Sequence, residues 1–225
     1  MSKKNQKIFI FREEDKLEIK EETKPISLVD LEEEYTIREI QKKDLKKVRL
    51  LDLQLFPLQY KDDFYDNMLL ENSVGLVAIK KETSKIVGVI TGRLQFIDNG
   101  WFSPKTRQAY IMTFGVDEKE THKGIGFNLL NIAVNNFQSQ LNVDEVSLHV
   151  RRANKRAISF YKKFGFKVTN ILKEYYFFNN KSHAALVMVY NNIAREQKLK
   201  KTENPLVSFG SNLWSCFGSC FSEQN

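Results

Sequence analysis

Cysteine is almost absent from this 225-residue chain: only Cys216 and Cys220 occur, both near the C-terminus. Two thiols fall short of the four ligands of a structural zinc site, and they cannot build the disulfide framework of a small secreted domain. Histidine is equally scarce, with three residues, and no metal is expected. No apolar run reaches the roughly 18–20 residues of a membrane span. The opening stretch, "MSKKNQKIFIFREEDKLEIKEETK", lacks the apolar core and small-residue cleavage site of a secretory signal. These absences place the expected protein in the cytosol or on a cytosolic membrane face.

What is present suits one domain of ordinary size with a tail at each end. The 42% hydrophobic content can fill a core. Charge is unevenly spread: the total is +7, residues 1–34 carry −3 and residues 194–225 carry +1, which leaves +9 for residues 35–193. A basic folded domain favours anionic ligands such as phosphorylated cofactors, nucleic acid or anionic membrane, although a solvated basic surface would look the same. Residues 1–34 are dense in charge and weak in periodicity, and are read as a disordered extension.

From Tyr35 the pattern becomes regular. "YTIREI" alternates as a strand, and Asp44 precedes an apolar-periodic helix, "LKKVRLLDLQLF". A short aromatic helix, "KDDFYDNMLL", follows. "VGLVAIKK" and "IVGVITGRLQF", joined by "ETSK", read as a hairpin. Then come a strand over 108–117, a helix over 124–140, a strand over 144–150, a helix over 154–164 and two closing strands. The order β-α-α-β-β-β-α-β-α-β-β predicts one α/β domain around a mixed sheet.

The turn "THKGIG" joins the third of these inner strands to a helix. Free N–H groups and the helix dipole meet there, and glycines let a ligand approach the backbone. The result is an anion site suited to phosphate, with His122 and Lys123 as further donors. A Walker loop requires Gly-x-x-x-x-Gly-Lys-Ser/Thr, which the chain lacks. A dinucleotide fingerprint wants glycine at 129, where Leu129 stands, although Asp144 falls about 20 residues on. From the turn alone, a glycine-eased bend without a ligand stays open.

Two motifs together resolve it. "VDEKETHKGIG" at a strand end and "NKRAISFYKKFGF" some thirty residues later resemble the GNAT superfamily of acetyl-CoA-dependent N-acetyltransferases over roughly residues 35–192. The resemblance implies the GNAT fold, an α/β architecture whose mixed central sheet is splayed between two strands and flanked by helices. It further implies that His122, Lys123, Gly124, Ile125 and Gly126 cradle the CoA pyrophosphate, and that the backbone of Phe114 and Val116 pairs with the pantetheine arm. Asn154 would hydrogen-bond the cofactor and Tyr161 would protonate the departing thiolate. The family's loop usually begins with Arg or Gln where this chain has Thr121, which bears on cofactor affinity. Arg151, Arg152, Lys155 and Arg156 around the start of the second motif's helix read as a solvated basic face, with contact to the CoA 3′-phosphate by at least one of them as the competing reading.

Four further stretches resemble the protein Nα-acetyltransferases, especially the NatE and NatF types. "FPLQY" resembles their substrate loop, which implies Phe56, Pro57, Leu58 and Tyr60 as substrate contacts. "AYIMTFGV" and "SLHV" imply Tyr110 and His149 as catalytic residues, with Tyr110 also touching substrate, and "KEYYFF" implies Tyr175 and Tyr176 in the peptide slot. The chemistry agrees: an α-amine has a reference pKa of about 7.7–8.0, against about 10.4 for lysine, so a base of modest strength such as neutral His149, near 6.5, suffices.

The tail "NPLVSFGSNLWSCFGSCFSEQN" repeats Leu206, Phe209, Leu213, Cys216, Phe217 and Cys220 at three- and four-residue steps, with serines opposite. It reads as an amphipathic membrane-binding helix over residues 205–221, approached by the basic linker that opens segment 194–225. A helix packed back on the domain is the competing reading. NatF-type enzymes are held similarly on cytosolic membrane faces, and this favours NatF, with the Golgi as the expected membrane. The expected partners are protein N-termini and acetyl-CoA, with no nucleic acid, and a monomer is expected. A lysine acetyltransferase and a catalytically silent CoA-binding scaffold are the rival readings.

Overall fold

The computed structural model of the chain describes residues 28–56, 60–101, 103–178 and 180–191. Pro57 and Leu58 of the expected substrate loop lie outside the described residues, as do residues 1–27 and the tail from 192 onward, with its expected membrane helix over 205–221.

Seven strands form one mixed sheet in the order β1-β2-β3-β4-β5-β7-β6. They are β1 (Tyr35–Glu39), β2 (Ser73–Lys80), β3 (Lys85–Ile97), β4 (Thr106–Val116), β5 (Glu145–Arg151), β6 (Lys167–Phe178) and β7 (Lys181–Asn191). Every neighbouring pair is antiparallel except β4 and β5. The helices are α1 (Leu28–Glu34), α2 (Leu45–Leu55), α3 (Asp62–Asp66), α4 (Ile125–Leu141) and α5 (Lys155–Phe164). The element order expected from periodicity is present from Tyr35 onward. The folded part starts earlier than expected, however: residues 28–34, grouped by sequence with the disordered extension, form α1. Its residue Leu31 is buried in the main core, and tertiary packing of that kind overrides weak local periodicity.

Side-chain alternation sorts the sheet into two faces. Val74, Leu76 and Ala78 of β2 join the larger core with Ile125, Leu129, Ala133, Val134 and Phe137 of α4. Val77, between them, joins the second core with Val48 and Leu51 of α2 and Tyr65 of α3. Helices therefore cover both faces, and the sheet's centre is buried.

Two irregularities position the site. In the β3–β4 ladder Thr91 pairs with Thr113 but Gly92 pairs with Ile111, so Met112 is an extra residue that bulges β4. The parallel β4–β5 ladder then covers only Gln108↔Glu145, Ala109↔Val146 and Tyr110↔Ser147. Past that point the two strands part, while β5 stays paired with β7 as far as Arg151.

Candidate active site

The gap between the diverging strands opens into a pocket lined by Phe56, Ile111, Met112, Phe114, Leu148, His149, Arg151, Asn154 and Tyr161, among others. Of the expected site residues, Phe56, Phe114, His149, Asn154 and Tyr161 thus meet at one opening. Tyr110 stands at its inner end, on the last β4 residue that pairs with β5.

Tyr110, His149 and Tyr175 form a hydrogen-bonded triad. The Tyr110 hydroxyl lies 3.2 Å from Nδ1 of His149, and the Tyr175 hydroxyl lies 2.7 Å from the same nitrogen. When the ring proton of neutral His149 sits on Nε2, the single lone pair of Nδ1 accepts from one of these hydroxyls at a time. Burial pushes His149 down to about 4, well below the 6.5 assumed from sequence. Burial, followed by the neighbouring Tyr175 and Tyr176, pushes Tyr110 well above the usual phenol range. Tyr175 is raised to about 12, again chiefly by burial, with the hydrogen bond from Tyr110 offsetting part of the effect. All three groups are therefore neutral at pH 7.

Around this triad lies an aromatic wall. Tyr176 is 3% exposed, and its hydroxyl meets no hydrogen-bonding partner among the described residues. It clusters with Tyr110, Met112 and Ala185, and Phe64, Leu172 and Tyr175 pack against the group. Tyr60 stacks on Phe64 with ring centroids 4.1 Å apart, which brings the expected substrate loop's far end against the wall. Phe64, Met112 and Ile111 were missed from sequence. The alternation of β4 held a signal for Met112, since it shares a face with Tyr110.

The glycine turn opens α4. Gly124 has φ +77°, a left-handed conformation that glycine adopts without penalty. The first N–H groups of α4 have no intrahelical acceptor and face outward from the helix end. A Cβ on Gly126 would occupy the space between Phe114, Val116 and Phe160, at 3.5 to 4.0 Å from each. The missing side chain thus leaves a cradle beside β4, open to backbone N–H groups, and the residues present fit a CoA pyrophosphate and pantetheine arm. His122, with φ +64°, is exposed and accepts a hydrogen bond at Nε2 from Arg156 of α5 at 3.2 Å.

Lys123 departs from expectation. Its half-buried ammonium donates to Glu120 Oε2 at 2.8 Å and to the Tyr35 hydroxyl at 2.9 Å. A cation neutralised in this way is a loop fastener more than a free phosphate donor. Asn154 caps α5 through Oδ1, which accepts from the N–H of Ala157 at 3.0 Å. Tyr161 is 4% exposed among Phe114, Phe160 and Phe166, and burial raises its pKa. Of the basic residues proposed for a 3′-phosphate, Arg151 is buried, whereas Arg152, Lys155 and Arg156 are exposed.

Comparison with known proteins bears on the family and the fold. The model of the acetyltransferase (GNAT) family matches residues 34–166. N-alpha-acetyltransferase 50 of Danio rerio is 31% identical over 133 residues, 59% of this chain and 74% of its own. N-alpha-acetyltransferase 60 of Xenopus tropicalis is 28% identical over 168 residues, covering 69% and 67%. Among solved structures, Arabidopsis thaliana Naa50 in complex with the bisubstrate analogue CoA-Ac-MVNAL superposes with TM-score 0.59 at 31% identity, covering 71% of this chain and 99% of its own. Arabidopsis thaliana NAA60 in complex with a bisubstrate analogue superposes with TM-score 0.63 at 23% identity, over 70% and 99%, a likeness of fold. Splayed sheet, glycine turn, family match and relatives agree: the chain belongs to the GNAT acetyltransferase family, as an N-alpha-acetyltransferase.

Proposed function

We propose that the chain is a NatF-like enzyme that acetylates Met-starting N-termini of membrane proteins from the cytosolic face of an internal membrane, the Golgi. The observation that carries the α-amine assignment is the Tyr110–His149–Tyr175 triad at the inner end of the splay, walled by Tyr176 and Tyr60. Such a walled slot suits the free end of a chain and hinders a lysine with chain on both sides. The pattern of residues 205–221 supports the membrane part.

In this reading the backbone N–H groups of Gly124, Ile125 and Gly126 hold the cofactor's pyrophosphate, and the open edge of β4 at Phe114 and Val116 orients its arm. Acetyl-CoA supplies the thioester carbonyl that the amine attacks. The low pKa of His149 means that it cannot strip a resting ammonium. Its work comes as the C–N bond forms and the nitrogen, now cationic with two protons, becomes acidic enough to give up one proton. Tyr110 accepts that proton through a water while passing its own to Nδ1 of His149, and Tyr175 steadies the ring. Tyr161 gives its proton to the departing sulfur, a role suited to a phenol that burial keeps protonated.

The test offers purified enzyme two matched peptides with acetyl-CoA. One has a free Met-Lys or Met-Val N-terminus, and the other is N-terminally blocked with internal lysines. Preferential acetylation of the free α-amine supports the reading. Acetylation of the blocked peptide alone reassigns the chain to lysine acetylation, and CoA binding without turnover reassigns it to a scaffold. For the membrane part, loss of vesicle binding on removal of residues 205–221 is the expected result.

A further inference from the structure

A cluster of charges behind the glycine turn has no part in the chemistry above. Glu120, 9% exposed, lies at the root of the turn. Its Oε2 accepts from the Tyr35 hydroxyl at 2.6 Å and from Lys123 at 2.8 Å, and its Oε1 accepts from Lys80 at 3.1 Å. Lys123 also donates to the Tyr35 hydroxyl at 2.9 Å and lies over its ring, 5.6 Å from the centroid. Tyr35 itself is 3% exposed in the main core. The four groups therefore tie the turn to β1 and β2 on the sheet's far side. The hydrogen bonds from Lys123 and Tyr35 hold the Glu120 carboxyl down at about 2, so it is ionised at every working pH.

The rest of the turn is pinned from the other end. Lys85 of β3 pairs with Asp117 at 2.7 Å, Asp117 Oδ1 accepts from the N–H of Lys119 at 3.1 Å, and the Thr121 hydroxyl donates to the Glu118 carbonyl at 2.8 Å. Thr121 is thus turned to its own backbone, and Lys123, its side chain 35% exposed, is paired with Glu120 and Tyr35. With that hydroxyl committed and that charge already paired, recognition rests mainly on backbone N–H groups that cannot reorient by rotamer change. Their aim depends on how firmly the turn is held.

We infer that Glu120 and Tyr35 are positioning residues for the donor substrate: they set the direction of the backbone N–H groups that take the pyrophosphate, in place of the side-chain donor lost at Thr121. The inference rests on the reading of the turn as the pyrophosphate site. It predicts that loosening the network weakens only donors that carry a pyrophosphate.

Steady-state kinetics of the full chain with acetyl-CoA and with acetyl-pantetheine, which has no pyrophosphate, test both levels. Wild-type enzyme is expected to show a much lower KM for acetyl-CoA. Equal KM values would remove the pyrophosphate reading itself. Given the difference, Glu120→Gln and Tyr35→Phe are expected to raise the acetyl-CoA KM about fivefold or more, the scale of one hydrogen bond, and to leave kcat and the acetyl-pantetheine KM in place. An acetyl-CoA KM within twofold of wild type in both variants overturns the inference. So does a parallel loss with both donors, which marks a merely structural role. A fall in acetyl-CoA KM also overturns it, because Lys123 would then be a phosphate donor that Glu120 holds back. Tyr35→Phe, which removes a single oxygen, keeps the comparison available if Glu120→Gln folds poorly.

Discussion

The depressed pKa of His149 makes a quantitative claim about the pH–rate profile. Burial holds the imidazole near 4, whereas an exposed one titrates near 6.5 and a peptide α-amine at about 7.7–8.0. The profile of kcat/KM reports free enzyme and free substrate, so below about pH 7.7 it falls tenfold per unit through the amine alone. At pH 5.5 a histidine of ordinary pKa would be about nine-tenths protonated and would cost roughly another tenfold, while one near 4 is only about 3% protonated and costs almost nothing. The expected profile has a slope of one from about pH 7.7 down to about pH 4.5. The assay is initial rate against pH with a Met-starting peptide well below its KM. A peptide with a less basic N-terminus should shift the limb to lower pH by its own difference in pKa. A slope of two setting in near pH 6.5, removed by His149→Gln, would refute the reasoning. Stability follows the same linkage with a definite sign. The folded pKa is the lower one, so stability is intact above 6.5 and is lost as pH falls from 6.5 toward 4, by at most about 3 kcal/mol.

Three other perturbations follow from the geometry. Tyr110→Phe removes the hydroxyl 3.2 Å from His149 and is expected to lower kcat by about a hundredfold, the low end for a proton-transfer group, with acetyl-CoA affinity measured by calorimetry held constant. Gly124→Ala places a Cβ at φ +77°; a loss of about 1–2 kcal/mol in urea unfolding is expected, together with weaker acetyl-CoA binding. Asp52 of α2 is fully buried, and burial raises its carboxyl to about 7, with the Tyr65 hydroxyl opposing the rise. Because the folded pKa exceeds the unfolded 3.8, stability is highest at acid pH and declines as pH rises toward 7, by a ceiling of about 4 kcal/mol. Asp52→Asn should therefore unfold at a higher temperature than wild type at pH 8, with the gain vanishing near pH 4.

Much of the site was legible because its parts sit on regular elements. Tyr110 and His149 lie on strands whose alternation and order place them side by side, and the turn at Gly124 announces itself by its glycines and the helix that follows. The parts that were not legible depend on contacts between distant residues. Lys123 looks like a free cation in sequence, yet its partner Tyr35 is 88 residues away. The link from Tyr175 to His149 depends on how the β6–β7 hairpin lies against β5, with register shifts in that ladder between Leu172 and Tyr176. His149 looked like a base of ordinary strength because burial, the cause of its shift, is a property of the assembled fold. Residues 28–34 offered too short a pattern to mark a helix, and the packing of Leu31 into the main core helps hold one.

The three-residue ladder between β4 and β5 also bears on self-association. Beyond Tyr110, β4 turns an unpaired row of N–H and C=O groups toward β5. A row of that kind on the outside of a sheet is a template on which stray chains extend into aggregates. Here it lies in the middle of a seven-stranded sheet, between β3 and β5. A slender arm can enter lengthwise, whereas a second sheet would have to force two strands apart to pair with it. The protein thus keeps this unpaired row where only a thin guest can use it.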